Sequence, residues 1–433
     1  MKKISLSALK ELRGFLTLWG TQSLSALGSG MTSFALVLWS YRQAGSALTT
    51  ALLTVCAYAP YVIMSPLAGA ISDRWNKKTT LLACDALAAL STLLVLLLWR
   101  QNALRVEHLY LVNALNGLMN TFQSPAADVA ATLLTPEKHY QKIGALRSFS
   151  NSLTSILTPA LAAALFTLGD LGAVIAVDLA TFLMAFLVLI LGIRLPQPKA
   201  AGKREGLVLS VRLGLGYLRR HRGVLHVIFF LAAINFTASM YNAALPALVL
   251  SRPEGGESAL GLVQASAGAA MLTGSVLASL LPAPQSRVRM ICNTLLLSMS
   301  TENFFLALGR SPALWCVGAA LGWVGIPLMN TNLDALLRHA IPLELQGRVY
   351  AARNSLQFFT IPLGYLLGGV LVDQVFEPWM ARQAAGLPVL LFGTGKGSGA
   401  AALFLCLAFL GVITCLVFRR DSRIWALEQE KKQ

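Results

Sequence analysis

Charge is what this chain has least of. Only 12% of its 433 residues are Asp, Glu, Lys or Arg, about half the share in a soluble globular protein. Acids are scarcer than bases, 19 against 35, so the formal net charge is +16. With 56% hydrophobic residues and a mean hydropathy of +0.64, the composition excludes a soluble domain and points to an all-α integral membrane protein. The six cysteines lie in apolar runs with no C-x-x-C spacing, which argues against a disulfide scaffold or a thiolate metal centre. The five histidines, His108, His139, His221, His226 and His339, lack ligand spacing, so neither a metal nor a cofactor is expected. No G-x-x-x-x-G-K-[ST] loop is present, and the glycine-rich run at 393–399 has no phosphate-binding lysine pattern, which excludes an ATP-driven motor. No triad, paired carboxylates or metal spacing suggests an enzyme. The cations are spread over short loops, so their excess reads as membrane orientation rather than nucleic-acid binding.

What is present is a succession of apolar runs. A spanning helix needs about 20 residues, and twelve runs qualify: 15–40, 48–71, 79–99, 106–127, 144–168, 172–193, 225–250, 259–281, 289–308, 312–336, 349–373 and 399–418. The first follows Lys2 and Lys3 but is too long for a signal sequence and has no small-residue cleavage site, so it is expected to be retained. Between runs six and seven, residues 194–222 hold eight Lys or Arg. This predicts three parts: a six-helix half at 1–193, a cytoplasmic linker at 194–224, amphipathic over 207–218 and lying on the membrane surface, and a second six-helix half at 225–433. With the N-terminus inside, 28 of the 35 Lys and Arg fall on inner segments and seven on outer ones, so both termini are expected in the cytoplasm.

An internal repeat supports two halves. At an offset of 206, Asp128, Pro136 and Arg147 fall on Asp334, Pro342 and Arg353, each set crossing one short inner segment. Between runs two and three stands Gly69-Ala-Ile-Ser-Asp73-Arg74-Trp-Asn-Lys77-Lys78. This G-x-x-x-D-R-x-x-K-K turn resembles the second inner loop of the major facilitator superfamily; the simpler alternative is a charged turn between any two spans. Further stretches resemble macrolide-efflux-type facilitators: Asp85 in Cys84-Asp85-Ala86-Leu87, Ala176 to Leu183, Gln346 to Arg353, Gly369 to Met380, and the Gly393–Gly397 run. The resemblance covers residues 14–420. It departs from the antiporter Gly-Pro-x-x-Gly-Gly pattern in the fifth span, where Thr158-Pro159-Ala160-Leu161-Ala162-Ala163 stands.

The resemblance implies a major facilitator fold of twelve transmembrane helices in two six-helix pseudo-repeat halves, with spans 1, 4, 7 and 10 around a substrate cavity. Their candidate binding residues are Gln22 and Phe34; Asn113, Asn116, Asn120 and Gln123; Asn235, Phe236, Tyr241 and Asn242; and Trp323 and Asn330. The fourth-span amides recur every three or four residues, so they share a face. They suit a neutral amphipathic ligand, the alternative being amide glue between helices. Gate residues are Gly69, Asp73, Arg74, Lys77, Asp128, Arg147, Asp334 and Arg353. Lys77 and Arg147 are expected near Asp128, Arg353 near Asp334, and Asp73 near Gly347. Acids inside membrane spans are functional candidates, and Glu302, the deepest, leads Asp178 and Asp85 as a proton site. The implied protein is a monomer of the bacterial inner membrane, partnered by lipid, protons and a small molecule. It would export a drug, macrolide-like compound or siderophore by proton antiport. Import of a siderophore or its iron complex, and a transporter-shaped sensor, are the alternatives.

Overall fold

The computed structural model describes residues 12–72, 75–136, 140–193, 195 and 215–429. Twelve spans appear where the apolar runs place them. In chain order they begin with α1 (Arg13–Ala44), α2 (Ala47–Ser72), α3 (Lys77–Arg100) and α4 (Val106–Leu133). Next comes α5 (Tyr140–Gly192), which holds spans five and six and breaks only at Asp170, φ 60° and ψ −171°. Then follow α6 (Arg222–Ser251), α7 (Glu257–Leu280) and α8 (Arg287–Leu308). Span ten is a pair, α9 (Pro312–Val324) and α10 (Ile326–Ala340), meeting at Gly325. Span eleven joins α11 (Leu343–Phe358), α12 (Thr360–Val370), a π-helical turn (Leu371–Phe376) and α13 (Glu377–Ala381). The short α14 (Leu387–Phe392) precedes α15 (Ser398–Arg419), and α16 (Ser422–Gln429) follows. Nine stretches among the described residues are long and apolar enough to cross a membrane, and one of them contains both arms of α5. The stretches of α1 and α4 before residue 47 and across 106–133 fall short, because their polar side chains dilute the hydropathy.

Local chemistry sets the helix starts. Asn76 caps α3 by accepting from the N–H groups of Lys78 and Thr79, at 3.0 and 3.3 Å. Ser286 caps α8 through Arg289 N at 3.1 Å, and Ser311 with Pro312 opens α9. These are the orphan donors that every helix start must satisfy. Span eleven is longer than its apolar run, which was expected to end at 373. Asp373 and Glu377 do not end it, because both carboxylates are spent on the N-termini of other helices, as described below. Asp73 and Arg74, the surroundings of Gly69 and Gly347, and residues 207–214 of the expected amphipathic segment lie outside the described residues. Residues 215–220 are helical, with Tyr217 buried and its hydroxyl donating to Ala340 O at 2.5 Å.

The chain forms two compact units, Met1–Leu36 with Cys56–Arg204, and Val37–Val55 with Glu205–Gln433. The first has a core that includes Leu18, Leu81, Ala126, Ala130, Leu189 and Ile193. The second is built around residues such as Phe230, Leu231, Leu295 and Leu337. The end of α1 and the start of α2 therefore pack with the second unit.

At the other end of that unit, α16 is clasped to α6 and α8. His226 Nδ1 is hydrogen-bonded to the Asp421 carboxylate, and its Nε2 lies 3.0 Å from Arg423 Nη1. Glu428 accepts from Ser286 Oγ and Val288 N at 2.8 and 2.7 Å. Partial burial works against the Asp421 charge, but the hydrogen bonds from His226 and Arg423 N–H and their charges outweigh it and hold its carboxyl below the usual range. A lowered carboxylate stabilises the clasp fully above the unfolded value, about pH 4, and that contribution is lost as pH falls through the lowered one. Asp421→Asn should therefore speed amide exchange over 422–429 at neutral pH while leaving the spans protected. Unchanged exchange in that helix would contradict the clasp.

Candidate functional site

Three acids lie within the spans, and each is buried: Asp85 is 8% exposed, Asp178 4% and Glu302 4%. In the first unit Asp85, on α3, accepts from Gln22 Nε2 of α1 at 3.1 Å and from Gln123 Nε2 of α4 at 2.5 Å. Two amides expected to line a cavity thus converge on one carboxylate and tie three helices together. The remaining fourth-span amides divide. Asn116 Oδ1 accepts from Ser91 Oγ of α3 at 3.0 Å, Asn113 donates back to Leu109 O at 2.8 Å, and Asn120 is exposed. Gly117, within the same stripe, lets α4 meet α2 backbone to backbone. A Cβ there would sit 2.0 Å from Ala57 O.

Asp178, on the second arm of α5, accepts from Ser29 Oγ of α1 at 2.9 Å. Gly28 makes room for it, since a Cβ would lie 2.4 Å from Thr181 Oγ1 and 3.0 Å from Asp178 Cα. Gly30 does the same for Thr158, at 3.0 Å. Spans one and five thus approach closely through a glycine on α1, although the fifth span lacks the Gly-Pro-x-x-Gly-Gly glycines. Phe34 is buried on that helix.

In the second unit Glu302 on α8 accepts from Trp323 Nε1 of α9 at 2.8 Å, and Tyr241 of α6 lies beside the same carboxylate. Sequence reasoning nominated Tyr241 and Trp323 for ligand and Glu302 for protons; the fold makes them one cluster. Gly322 is its fourth member, because a Cβ would stand 2.5 Å from Glu302 Oε2. Gly322→Ala should displace the carboxylate at a cost of about 1–3 kcal/mol and shift Trp323 emission; unaltered stability and emission would remove Gly322 from the site. Trp323 precedes the Gly325 break by two residues, so the Glu302 cluster sits at the joint of span ten. Asn242 donates to Ala238 O and Asn332 to Leu328 O, both at 2.9 Å within their own helices. Asn235 and Phe236 are half-buried and Asn330 is exposed.

At the helix ends Arg147 pairs with Asp128 in the first unit, and Arg353 Nη1 lies 3.9 Å from Asp334 Oδ1 in the second. These are the partners that the offset of 206 relates. Lys77 is 3% exposed at the start of α3. The expected Lys77–Asp128 pair is not among the ion pairs of the described residues, where Asp128 takes the longer, forked Arg147 instead.

One constellation escaped the sequence reading. Asp373, on the π turn of span eleven, accepts from Ser46 Oγ at 2.6 Å, Ala47 N at 3.0 Å and Leu48 N at 2.8 Å, capping α2 from across the unit. Four residues on, Glu377 accepts from Gly397 N at 2.9 Å and Ala400 N at 3.2 Å, capping α15. Gly369 allows this approach, since a Cβ would stand 2.7 Å from Leu48 Cα. The signal available was two acids four residues apart next to a glycine pair, inside an otherwise apolar helix.

Buried carboxylates tied by neutral side chains, one of them beside the Gly325 break of span ten, suit a conformationally active membrane carrier. Comparison with known proteins agrees. The chain matches the Major Facilitator Superfamily over residues 18–365. Macrolide efflux protein A of Streptococcus pyogenes is 22% identical over 364 residues, covering 83% of this chain and 90% of that protein. Multidrug efflux pump Tap of Mycolicibacterium fortuitum is 26% identical over 385 residues, 84% and 90% of the two chains. Of solved structures, the nucleoside transporter NupG aligns with TM-score 0.68 at 13% identity, over 94% of this chain and 98% of that one. An inward-facing bacterial homologue of the iron transporter ferroportin aligns with TM-score 0.67 at 15% identity, over 95% and 99%. At such identities the solved structures speak for the fold, and the family match covers most of the chain. This all-α, multi-pass membrane protein therefore belongs to the major facilitator superfamily, as a transporter and not an enzyme.

Proposed function

We propose that the protein is a secondary exporter of neutral or internally neutralised amphipathic molecules, driven by exchange for protons. The observation that carries this reading is the company of the three buried acids. Among the described residues, Asp85, Asp178 and Glu302 have amide, hydroxyl and indole partners and no cation. A carboxyl held by neutral groups can gain or lose a proton without breaking an ion pair, and protonation removes the several kcal/mol that a lone charge costs at bilayer depth. Glu302 is the primary coupling site. Its proton weakens the charge-assisted bond from Trp323, loosening the link between α8 and the joint of span ten, where a small shift alters the helix path.

The relatives' efflux activities support the direction and the substrate class. The candidate binding residues on α4, α6 and α10 are amides and aromatics, which hold an apolar body and satisfy a few polar groups without demanding a fixed charge. The two capped acids of span eleven and the paired acids at the inner ends then serve as conformational latches. Both termini lie on the cytoplasmic side of the inner membrane in this reading, which the distribution of Lys and Arg supports. The test is accumulation of a macrolide in bacteria stripped of their own drug pumps. Expression should lower the intracellular level several-fold, and a protonophore should restore it. No change, or a raised level, would overturn export.

A further inference from the structure

The two repeat-related ion pairs are not alike. Arg147 is in direct contact with Asp128, whereas Arg353 stands 3.9 Å from Asp334, beyond hydrogen-bond reach. Beside the opened pair is a cavity of about 200 Å³ lined by Asp334 and Arg338 of α10 and by Tyr350, Arg353 and Asn354 of α11. Residues 350, 353 and 354 share one face of their helix, and 334 and 338 one face of theirs. The Arg353 side chain is only 17% exposed, and its Nε is spent on Gln357 Oε1 at 3.1 Å. Among the described residues its terminal N–H groups, the Tyr350 hydroxyl and the Asn354 amide form no hydrogen bonds. A guanidinium so enclosed, with its fork open towards a cavity, calls for an acceptor.

We infer that this cavity is a binding site for a phosphate-bearing anion. Arg353 presents the two parallel N–H groups that match a phosphate edge, Tyr350 and Asn354 add neutral donors, and Arg338 contributes a second positive charge. The phosphodiester of a glycerophospholipid is a monoanion whose paired oxygens match the two parallel N–H groups that Arg353 turns to the cavity. The cavity also lies at helix ends, beside the last turn of α10, at the level where headgroups sit, and basic pockets between spans take anionic headgroups there. The anion would widen the Arg353–Asp334 gap further, so headgroup occupancy and the closed pair compete. This site is separate from the coupling acids and does not depend on the direction of transport.

The experiment uses the full-length protein purified in a nonionic detergent. Phosphatidylglycerol, phosphatidylcholine and inorganic phosphate are titrated separately, and retained ligand is read by native mass spectrometry alongside thermal stability. Phosphatidylglycerol should bind and raise the unfolding temperature. Arg353→Gln should weaken this at least about tenfold, the loss of one bidentate charged pair. Arg353→Lys should fall between, because it keeps the charge and lacks the fork. Tyr350→Phe, a milder change that preserves packing, guards against misfolding of the arginine variants and should weaken binding by a smaller factor. Arg147→Gln, the repeat-related change, should leave binding as it is. Protection by phosphatidylglycerol alone assigns the lipid source, and protection by inorganic phosphate alone assigns a soluble phosphate; either supports the site. Equal binding of both anions by the unmodified protein, Arg353→Gln and Tyr350→Phe would overturn it.

Discussion

Glu302→Gln is expected to leave a folded protein that binds substrate but no longer responds to a pH gradient. Glutamine fills the same space against Gly322, and its carbonyl can still accept from Trp323 Nε1, which lies 2.8 Å from the native carboxylate. The amide cannot hold a proton, so only the coupling step is removed. Substrate exchange between the two sides of a liposome at equal pH should stay within about twofold of normal, while gradient-driven transport should fall at least about tenfold. The comparison of these two rates is the readout, because a merely structural role for Glu302 would lower both together. Normal pH dependence in this variant would remove Glu302 as the coupling site. Asp85, held by two amides, and Asp178, held by Ser29, would then be tested in that order.

The second large effect concerns the cap on α2. Asp373→Ala removes the acceptor for one hydroxyl and two backbone N–H groups. An N-cap deletion costs about 0.5–2 kcal/mol, and bonds to a charged acceptor are worth about 1.5–3 kcal/mol. Leu48 packs directly under Gly369, so water cannot simply replace the carboxylate. A loss of about 2–4 kcal/mol is expected, against about 1 kcal/mol for Asp373→Asn, which keeps one oxygen acceptor. Thermal unfolding of the purified protein measures both. Because the strip 37–55 belongs to α1 and α2 yet packs with the second unit, Asp373→Ala should also slow or stall substrate exchange. Stability within about 0.5 kcal/mol of the unmodified protein, the range of an ordinary surface change, would mean that the cap is incidental.

The spans were legible because a membrane helix is encoded locally, by the length of an apolar run. The Arg147–Asp128 and Arg353–Asp334 partnerships were legible for a different reason: the chain states the arrangement twice, 206 residues apart. What the sequence could not show is where polar groups meet in three dimensions. Gln22 and Gln123 lie 63 and 38 residues from Asp85, and nothing in their spacing says that both point at it. The cap on α2 comes from a residue 326 positions away from Ala47, beyond any local capping pattern. Asp373 and Glu377 instead looked like the end of a span, since a charge normally marks the exit from the bilayer. The Lys77–Asp128 expectation did not weigh a second cation: Arg147, on the neighbouring helix, offers a fork to the same carboxylate.

The central claim, that proton movement drives export, is tested most directly by substrate flux into inverted membrane vesicles containing the unmodified protein. An acid lumen should accelerate uptake of a macrolide into the vesicles, and a protonophore should abolish the acceleration. A rate that is the same with and without the imposed gradient would contradict proton coupling.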